Sequence, residues 1–179
     1  MGTSQTTIEI RAAAVGDAAA VADLWTEAYV TLGVGGRTQP YVEADFLDSA
    51  RRGEVFVVEG EEGVVGVIAL SAPGASGQAV ARPDEAELSR LAVADGARGR
   101  GIGRALTRFC ERRARTEGWE AIVLWSRPRQ REAHRLYESL GYRRAPGRDS
   151  VDATGHGRLV FRLALGAGAN SKPTQRSQP

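Results

Sequence analysis

Residues 98–106, which read RGRGIGRAL, combine three glycines with three arginines directly before an apolar helical pattern. Glycines between a strand and a helix allow a sharp turn that presents backbone N–H groups to an anion. The N-terminus of the following helix adds roughly half a positive charge, and Arg98, Arg100 and Arg104 add fixed charge around it. The residues alone predict either a phosphate-binding loop or a tight strand–helix turn whose arginines are solvated.

Two common phosphate-binding motifs are excluded by their spacing. A P-loop requires a lysine in G-x-x-x-x-G-K-[ST], whereas Lys172 is the only lysine of this chain. A dinucleotide fingerprint requires Gly or Ala at its sixth position. Counting from Gly99 that position is Arg104, and counting from Gly101 it is Leu106. The segment therefore needs a different interpretation.

Other residue types that could do chemistry are sparse. Cys110 is the only cysteine, which excludes an internal disulfide, and its helical pattern indicates a buried structural thiol. His134 and His156 lie far apart and lack carboxylates or thiolates at the spacing of metal ligands. We expect no metal site.

Length and composition indicate one water-soluble domain. The 179 residues are 42% hydrophobic and 26% charged, which is ordinary for a globular protein. No apolar run approaches the ~20 residues that span a bilayer, and the N-terminus lacks an apolar signal core. We expect a cytoplasmic protein without a membrane segment. A pI near 9.0 leaves nucleic-acid binding as an alternative, but the basic runs lack interleaved aromatic residues, so that partner is not expected.

Hydrophobic periodicity predicts alternating strands and helices. The predicted strands are residues 7–13, 54–60, 64–72, 86–94, 121–126, 141–145 and 158–165, and the predicted helices are 18–33, 42–53, 102–117 and 131–141. Asp17 is the predicted N-cap of the first helix, and Gly33 and Gly118 are predicted helix terminators. This order predicts an α/β (mixed α+β) fold with a central mixed sheet of six to seven strands and about four helices on both faces. The domain would span 8–165, with disordered tails at 1–7 and 166–179.

Two motifs in this framework resemble the signatures of the GNAT superfamily of N-acetyltransferases. LAVADGARGRGIGRAL contains Arg98-x-x-Gly101-x-Gly103 five residues after Val93, and REAHRLYESLGY contains A-x-x-L-Y-x-x-x-G-Y. The family uses the first motif to hold the pyrophosphate of acetyl-CoA on backbone amides. With the matching order of elements, the resemblance covers about residues 8–165 and implies the family's acyl-CoA N-acyltransferase fold.

The resemblance implies a set of acetyl-CoA contacts. Leu91, Ala92 and Val93 would pair their backbone with the pantetheine arm, and one of their N–H groups would polarise the thioester carbonyl. The pyrophosphate would be wrapped by Arg98, Gly99, Arg100, Gly101, Ile102, Gly103 and Arg104. The three glycines would keep side chains away from it, and Ile102 would face the core.

The family often has an asparagine where this chain has Gln130, which offers the same amide one methylene further out. Gln130 is therefore the expected contact to the pantetheine arm or the sugar end. Four arginines near it would either contact the adenosine 3′-phosphate or form a solvated face, and the solvated face is favoured for most of them: Arg127, Arg129, Arg131 and Arg135.

Two catalytic residues are implied by the resemblance. Tyr137 stands where the family has a tyrosine that protonates the departing CoA thiolate; its alternative role is core packing on the apolar face of its helix. Glu87 stands where some members have the glutamate that draws a proton from the amine, usually through water. Its alternative is an edge-facing carboxylate beside Asp84 and Glu85.

The sequence therefore predicts an enzyme that transfers the acetyl group of acetyl-CoA directly to a primary amine of an unidentified acceptor. Tyr29, Gly35, Gly36 and Tyr41 are candidates for the acceptor pocket wall, with core packing as the alternative for Trp25 and Tyr29. A catalytically inactive acyl-CoA-binding sensor on the same fold is the rival function, and a homodimer is compatible with the resemblance.

Overall fold

The computed structural model describes residues 8–31, 33, 37–61 and 63–166. The predicted tail at 1–7, the predicted tail at 166–179 except for Gly166, and the predicted pocket residues Gly35 and Gly36 lie outside this range. The elements in chain order are β1 Ile10–Ala12, α1 Ala18–Trp25, α2 Glu43–Arg52, β2 Glu54–Gly60, β3 Gly63–Ser71, β4 Ala86–Val93, α3 Ile102–Thr116, β5 Ala121–Ser126, α4 Arg131–Ser139, β6 Arg143–Arg144, β7 Ser150–Val151 and β8 Gly157–Ala164.

One mixed sheet forms the centre of the fold, in the order β1-β2-β3-β4-β5-β8-β6, with β7 paired beside it to β8. The pair β4–β5 is parallel, whereas the neighbouring pairs β3–β4 and β5–β8 are antiparallel. The predicted fold class, a central mixed sheet with four helices, is confirmed.

Alternating side chains of the strands build a core on each face of the sheet. On β2, Val55 and Val57 pack with residues of α1 and α2. Phe56 and Val58, one step along, pack with residues of α3 and α4. Because side chains of a strand alternate between the two faces, helices cover both faces as predicted.

The first helix starts where predicted but ends differently. Asp17 closes a 3₁₀ turn, Val15–Asp17, and occupies the predicted N-cap position of α1. Its side chain makes no capping hydrogen bond to α1, because it accepts one from the N–H of Ala14 and pairs with Arg11, both at 2.7 Å. At the other end the chain widens into a π-helical turn, Thr26–Thr31, instead of continuing as an α-helix to Gly33. Within this wider segment Tyr29 reaches β4.

Two further differences concern the last strands. The predicted strand 141–145 is reduced to Arg143–Arg144, because Gly141 has a φ of +96° and belongs to the end of α4. The two-residue strand β7 was not predicted, since so short a segment leaves no periodic pattern.

The predicted terminator of α3 is confirmed. Gly118 has a φ of +75°, its N–H donates to the carbonyl of Arg115, and the N–H of Trp119 donates to the carbonyl of Ala114, both at 3.0 Å. These are the two hydrogen bonds of a Schellman motif, which glycine favours because it adopts the left-handed conformation at little cost.

Candidate active site

A β-bulge interrupts β4 in the middle of the sheet. Val67 of β3 pairs with Ala92 and Ala69 pairs with Ser89, so a step of two residues on β3 spans three on β4. Arg90 lies in this step with a φ of +55°, and it is the only residue other than glycine with a positive φ in the described part of the chain. The bulge bends β4 away from regular pairing at this point.

The parallel strands β4 and β5 separate next to the bulge. Their paired residues are Ala86–Ile122, Glu87–Val123 and Leu88–Leu124. Beyond Leu88, β4 continues beside β3 and β5 continues beside β8. A cleft therefore opens between the C-terminal halves of β4 and β5, and residues 89–93 have no β5 neighbour.

Two aromatic side chains hold the bulge from the first helical segment. The indole N–H of Trp25 donates to the carbonyl of Arg90 at 3.1 Å, and the hydroxyl of Tyr29 donates to the carbonyl of Leu91 at 2.5 Å. Burial raises the pKa of Tyr29 well above its ordinary value, so its hydroxyl remains protonated. Trp25 is fully buried core, as its alternative role predicted.

A cavity of about 270 Å³ occupies the cleft. It brings together four of the predicted site residues, Glu87, Leu91, Gln130 and Tyr137, and two predicted wall residues, Tyr29 and Tyr41. The predicted residues Ala92, Val93 and 98–104 do not line it. The side chain of Ala92 packs against α1 and α2 instead.

Tyr137 lies on α4 and is 8% exposed. α4 ends in a second Schellman motif, in which Gly141 has a positive φ and the N–H of Tyr142 donates to the carbonyl of Tyr137 at 3.0 Å. The rings of Tyr137 and Tyr142 lie 5.9 Å apart as a result. Burial raises the pKa of Tyr137, so the phenol that borders the cavity is neutral and carries a proton.

Glu87 is 4% exposed and is therefore not an edge-facing surface carboxylate. Its Oε2 accepts hydrogen bonds from the N–H groups of Ala79, Val80 and Ala81 at 2.9–3.0 Å. Its Oε1 accepts only the N–H of Ala79, at 3.1 Å, among the described residues. Oε1 thus keeps a lone pair for an ammonium group or a water in the cavity.

The loop that supplies these N–H groups is fixed by a buried ion pair that sequence reasoning missed. Glu85 accepts hydrogen bonds from Arg148 at 2.7 and 3.0 Å and from Arg162 at 2.7 Å. Arg148 also donates to the carbonyl of Val80. Burial alone would raise the pKa of Glu85, but the two guanidinium groups outweigh it and lower the pKa to about 2.

The glycine–arginine segment forms the turn from β4 into α3. Gly99 and Gly101 have φ values of +76° and +83°, and Gly101 is the N-cap of α3 without a side-chain cap. The first N–H groups of a helix have no intrahelical acceptor, so the donors of this helix start are available to an anion. Ile102 is buried in the core, as expected.

Gly103 lies next to α4. A Cβ at this position would lie 3.4 Å from a methyl group of Leu136, which is an ordinary van der Waals contact. Packing against α4 alone therefore does not require glycine here. A Cβ at Gly99 or Gly101 would meet nothing within 4 Å, so steric crowding does not require glycine at these positions. Their positive φ values do.

The arginines of this turn differ in their partners. Arg98 pairs with Asp95 at 3.0 Å, and Arg104 donates to the hydroxyl of Ser139 at 2.8 Å. Arg100 is exposed. All three contribute positive charge beside the uncapped helix start.

Gln130 links the end of β5 to α4. Its Oε1 accepts hydrogen bonds from the hydroxyl of Ser126 at 3.1 Å and the N–H of Arg127 at 2.8 Å. Arg127 is neither on a solvated face nor exposed to an outer phosphate: it is buried, pairs with Asp152 and donates to the carbonyls of His156 and Gly157. Its role is to hold the β7–β8 hairpin. Arg129, Arg131 and Arg135 are exposed.

The described residues contain no group of three or more His, Cys, Asp or Glu arranged to hold a metal ion. In the same part of the chain, no helix combines the length and apolar character needed to cross a membrane. Cys110 is fully buried, and burial raises the pKa of its thiol, so a reactive thiolate is disfavoured.

Comparison with known proteins agrees with the two sequence motifs. The model of the acetyltransferase (GNAT) family matches residues 18–142, which is more than half of the chain. An N-acetylaspartate synthetase from Danio rerio is 38% identical over 92 residues, which are 50% of this chain and 29% of that protein. The chain thus spans less than a third of that relative.

Solved structures share the fold at low sequence identity. A GNAT superfamily phosphinothricin acetyltransferase from Sinorhizobium meliloti, in complex with acetyl-CoA, has a TM-score of 0.75 and 24% identity over 97% of each chain. A putative acetyltransferase from Salmonella typhimurium, with its cofactor acetyl-CoA, has a TM-score of 0.72 and 20% identity, covering 93% of this chain and 98% of that one. From the family match, the two motifs and the fold, this chain belongs to the GNAT family of acetyltransferases.

Proposed function

We propose that this protein is an N-acetyltransferase that transfers the acetyl group of acetyl-CoA directly to a primary amine. The observation that carries the proposal is the cleft between β4 and β5, where a buried neutral tyrosine and a segment of β4 that has no β5 neighbour border one cavity. The acetyl-CoA present in two structural neighbours supports the choice of donor.

The residues around the cleft fit acetyl-CoA along its length. The uncapped N-terminus of α3 offers N–H donors and the positive end of a helix dipole to a pyrophosphate. Leu91, Ala92 and Val93 lie where an extended pantetheine arm can add to the open edge of β4. Gln130 borders the cavity on the β5 side and would contact the same arm.

In the proposed reaction, acetyl-CoA supplies the acetyl group as a thioester. An amine attacks only when it is neutral, and Glu87 takes up its proton at Oε1, directly or through one water. An N–H group of residues 91–93 donates to the carbonyl oxygen on which negative charge develops. Tyr137 gives its hydroxyl proton to the sulfur as the carbon–nitrogen bond forms and the carbon–sulfur bond breaks. The second proton that the nitrogen loses restores the Tyr137 hydroxyl, so the products are an amide, the CoA thiol and one proton held by Glu87.

Direct transfer is favoured over an acetyl-cysteine route. Cys110 is the only cysteine of the chain, and its thiol is fully buried in the core under α3. The amine and the thioester would therefore meet in the cavity without a covalent enzyme intermediate. An inactive sensor would instead bind acetyl-CoA and release no thiol with any amine.

The test is the release of CoA thiol from acetyl-CoA across a panel of amines, with Tyr137→Phe as the diagnostic variant. We expect Tyr137→Phe to lower kcat by about a hundredfold, as for loss of a general acid, with the Kd for acetyl-CoA changed by less than about twofold. The reason is that the variant removes the proton and leaves the packing.

Tyr142→Phe is the matched control. The hydroxyl of Tyr142 is buried without a hydrogen-bond partner in the described residues, and Tyr142 does not line the cavity. It should keep wild-type turnover. Equal turnover of the wild type and Tyr137→Phe would contradict the role of Tyr137 as the acid.

A further inference from the structure

Arg90 has a side chain that the proposed reaction does not use. Its guanidinium lies over the rings of Trp25 and Tyr41, at 4.7 and 5.1 Å from their centroids. Its Nη1 is buried and has no hydrogen-bond partner among the described residues. A buried charged donor without an acceptor is strongly unfavourable. The same guanidinium borders the cavity, so an anionic ligand on the cavity side would compensate its charge.

The nearby carboxylates are engaged elsewhere. Asp45 accepts two hydrogen bonds from Arg37, at 2.8 and 3.1 Å, and one from the N–H of Val42. Asp48 pairs with Arg52 at 2.8 Å. Arg90 attracts Asp45 through space, but within the described chain neither acid accepts a hydrogen bond from Arg90, because each is bound to its own arginine.

The bulge brings Arg90 to the same face of the sheet as Glu87. Ala86 and Leu88 pack on the α3–α4 side before the bulge, and Leu91 and Val93 pack there after it. By alternation Glu87 belongs to the opposite side, where Arg90 contacts Trp25 and Tyr41. In a regular strand, residues three apart would lie on opposite faces, so the left-handed conformation of Arg90 is what unites them.

One cavity is therefore bordered by an anion, Glu87, and by a cation, Arg90, whose Nη1 lacks an acceptor. Glu87 suits the ammonium form of an incoming amine. The planar fork of a guanidinium suits a carboxylate, which it binds through two parallel hydrogen bonds. The volume of about 270 Å³ suits a small molecule.

We infer that Arg90 binds the carboxylate of the acceptor, so that the acceptor is a small amine carrying an acidic group, of which an α-amino acid is the simplest example. This inference rests on the proposed function, since it assigns the substrate class of the same site. The aromatic rings of Trp25 and Tyr41 would keep the guanidinium in position while they exclude water from the ion pair.

The experiment compares matched acceptors at fixed acetyl-CoA. Each amino acid of the panel is paired with its carboxamide, which keeps size and amine but removes the negative charge. We expect kcat/KM to favour the acid over the amide by about ten- to a hundredfold for the accepted amino acids, the range of a charge-assisted hydrogen bond.

Arg90→Gln should reduce this preference to within about twofold, whereas Arg90→Lys, which keeps the charge but not the fork, should retain part of it. Both variants carry a side chain at the same positive φ, so they share any backbone cost. Arg112→Gln removes the same charge from an exposed position on α3 outside the cavity and should keep the full preference.

Acetyl-CoA binding is measured in parallel and tests the proposed function, whereas the preference for acid over amide tests the role of Arg90. The outcomes therefore separate the two. Acetyl-CoA binding with transfer to acid and amide alike, or to neither member of any pair, overturns the role of Arg90. A preference that survives in Arg90→Gln overturns it as well. Failure of the wild type to bind acetyl-CoA overturns the proposed function itself.

Discussion

At the scale of single residues, buried charges shape the surroundings of the cleft. The side chain of Glu85 is 2% exposed and lies between Arg148 and Arg162. Through Arg148, which also holds the carbonyl of Val80, this pair fixes the loop whose N–H groups bind Glu87. The ion pair thus connects stability to the position of the proposed base.

Glu85 should make folding stability depend on pH in the acidic range. Its pKa is lowered from 4.5 to about 2 in the folded state, so its contribution is fully present above about pH 4.5 and is lost as the pH falls towards 2. The shift corresponds to roughly 3 kcal/mol. Urea unfolding should show Glu85→Gln less stable by roughly 3–5 kcal/mol at pH 7, because two cations lose their partner, and the difference should shrink below pH 4.5.

Glu138→Gln, at an exposed position on α4, is the control and should stay within about 0.5 kcal/mol of the wild type. Parallel pH profiles for the wild type and Glu85→Gln would refute the linkage between this ion pair and stability.

The residues that line the cavity were predictable to different degrees. Tyr137 and Gln130 belong to or flank a motif with fixed local spacing, and Glu87 has a fixed distance from Val93 along one strand. Arg90 could not be identified in this way, because its orientation depends on a bulge set by pairing with β3. The signal in the sequence was the pair of adjacent polar residues Ser89 and Arg90, which interrupts the alternation of apolar and polar residues along β4. Glu85 likewise depends on Arg148 and Arg162, more than 60 residues away.

At the scale of elements, α3 has a glycine in the left-handed conformation at each end. Gly101 begins the helix at a φ of +83°, and Gly118 follows its end at +75°. A Cβ would meet nothing within 4 Å at either position. The two sites therefore differ in location and not in steric demand.

Gly101→Ala and Gly118→Ala should each destabilise the protein by about 1 kcal/mol, the cost of a left-handed alanine. Only Gly101→Ala should also raise the Kd for acetyl-CoA, by about tenfold or more, because it disturbs the N–H groups at the helix start. Calorimetric titration of the two variants measures this difference. Equal affinities in both variants would show that the helix start does not bind the pyrophosphate.

Element boundaries were less predictable than element types. The first helix was expected to run to Gly33, but Trp25 and Tyr29 both donate to carbonyls of the β4 bulge, and the chain widens into a π-helical turn there. Asp17 occupies the predicted N-cap position of α1, but its side chain pairs with Arg11 of β1 and makes no capping hydrogen bond. In both cases a tertiary partner decides the local structure.

At the scale of the whole molecule, the order of strands and helices was sufficient to predict a mixed sheet covered on both faces. It could not predict that β4 and β5 pair over only three residues. That separation arises from the bulge in β4, and it creates the cavity on which the proposed function depends.

The most direct test of the proposed function is thermal unfolding of the intact protein with and without acetyl-CoA, with ATP and NAD as controls. At a hundred times its Kd a ligand stabilises the folded state by about 2.7 kcal/mol, which raises the Tm of a domain of this size by about 5–10 °C. We predict such a rise with acetyl-CoA and not with ATP or NAD. No rise with acetyl-CoA, or an equal rise with ATP, would contradict the assignment of the cleft and the start of α3 as an acetyl-CoA site.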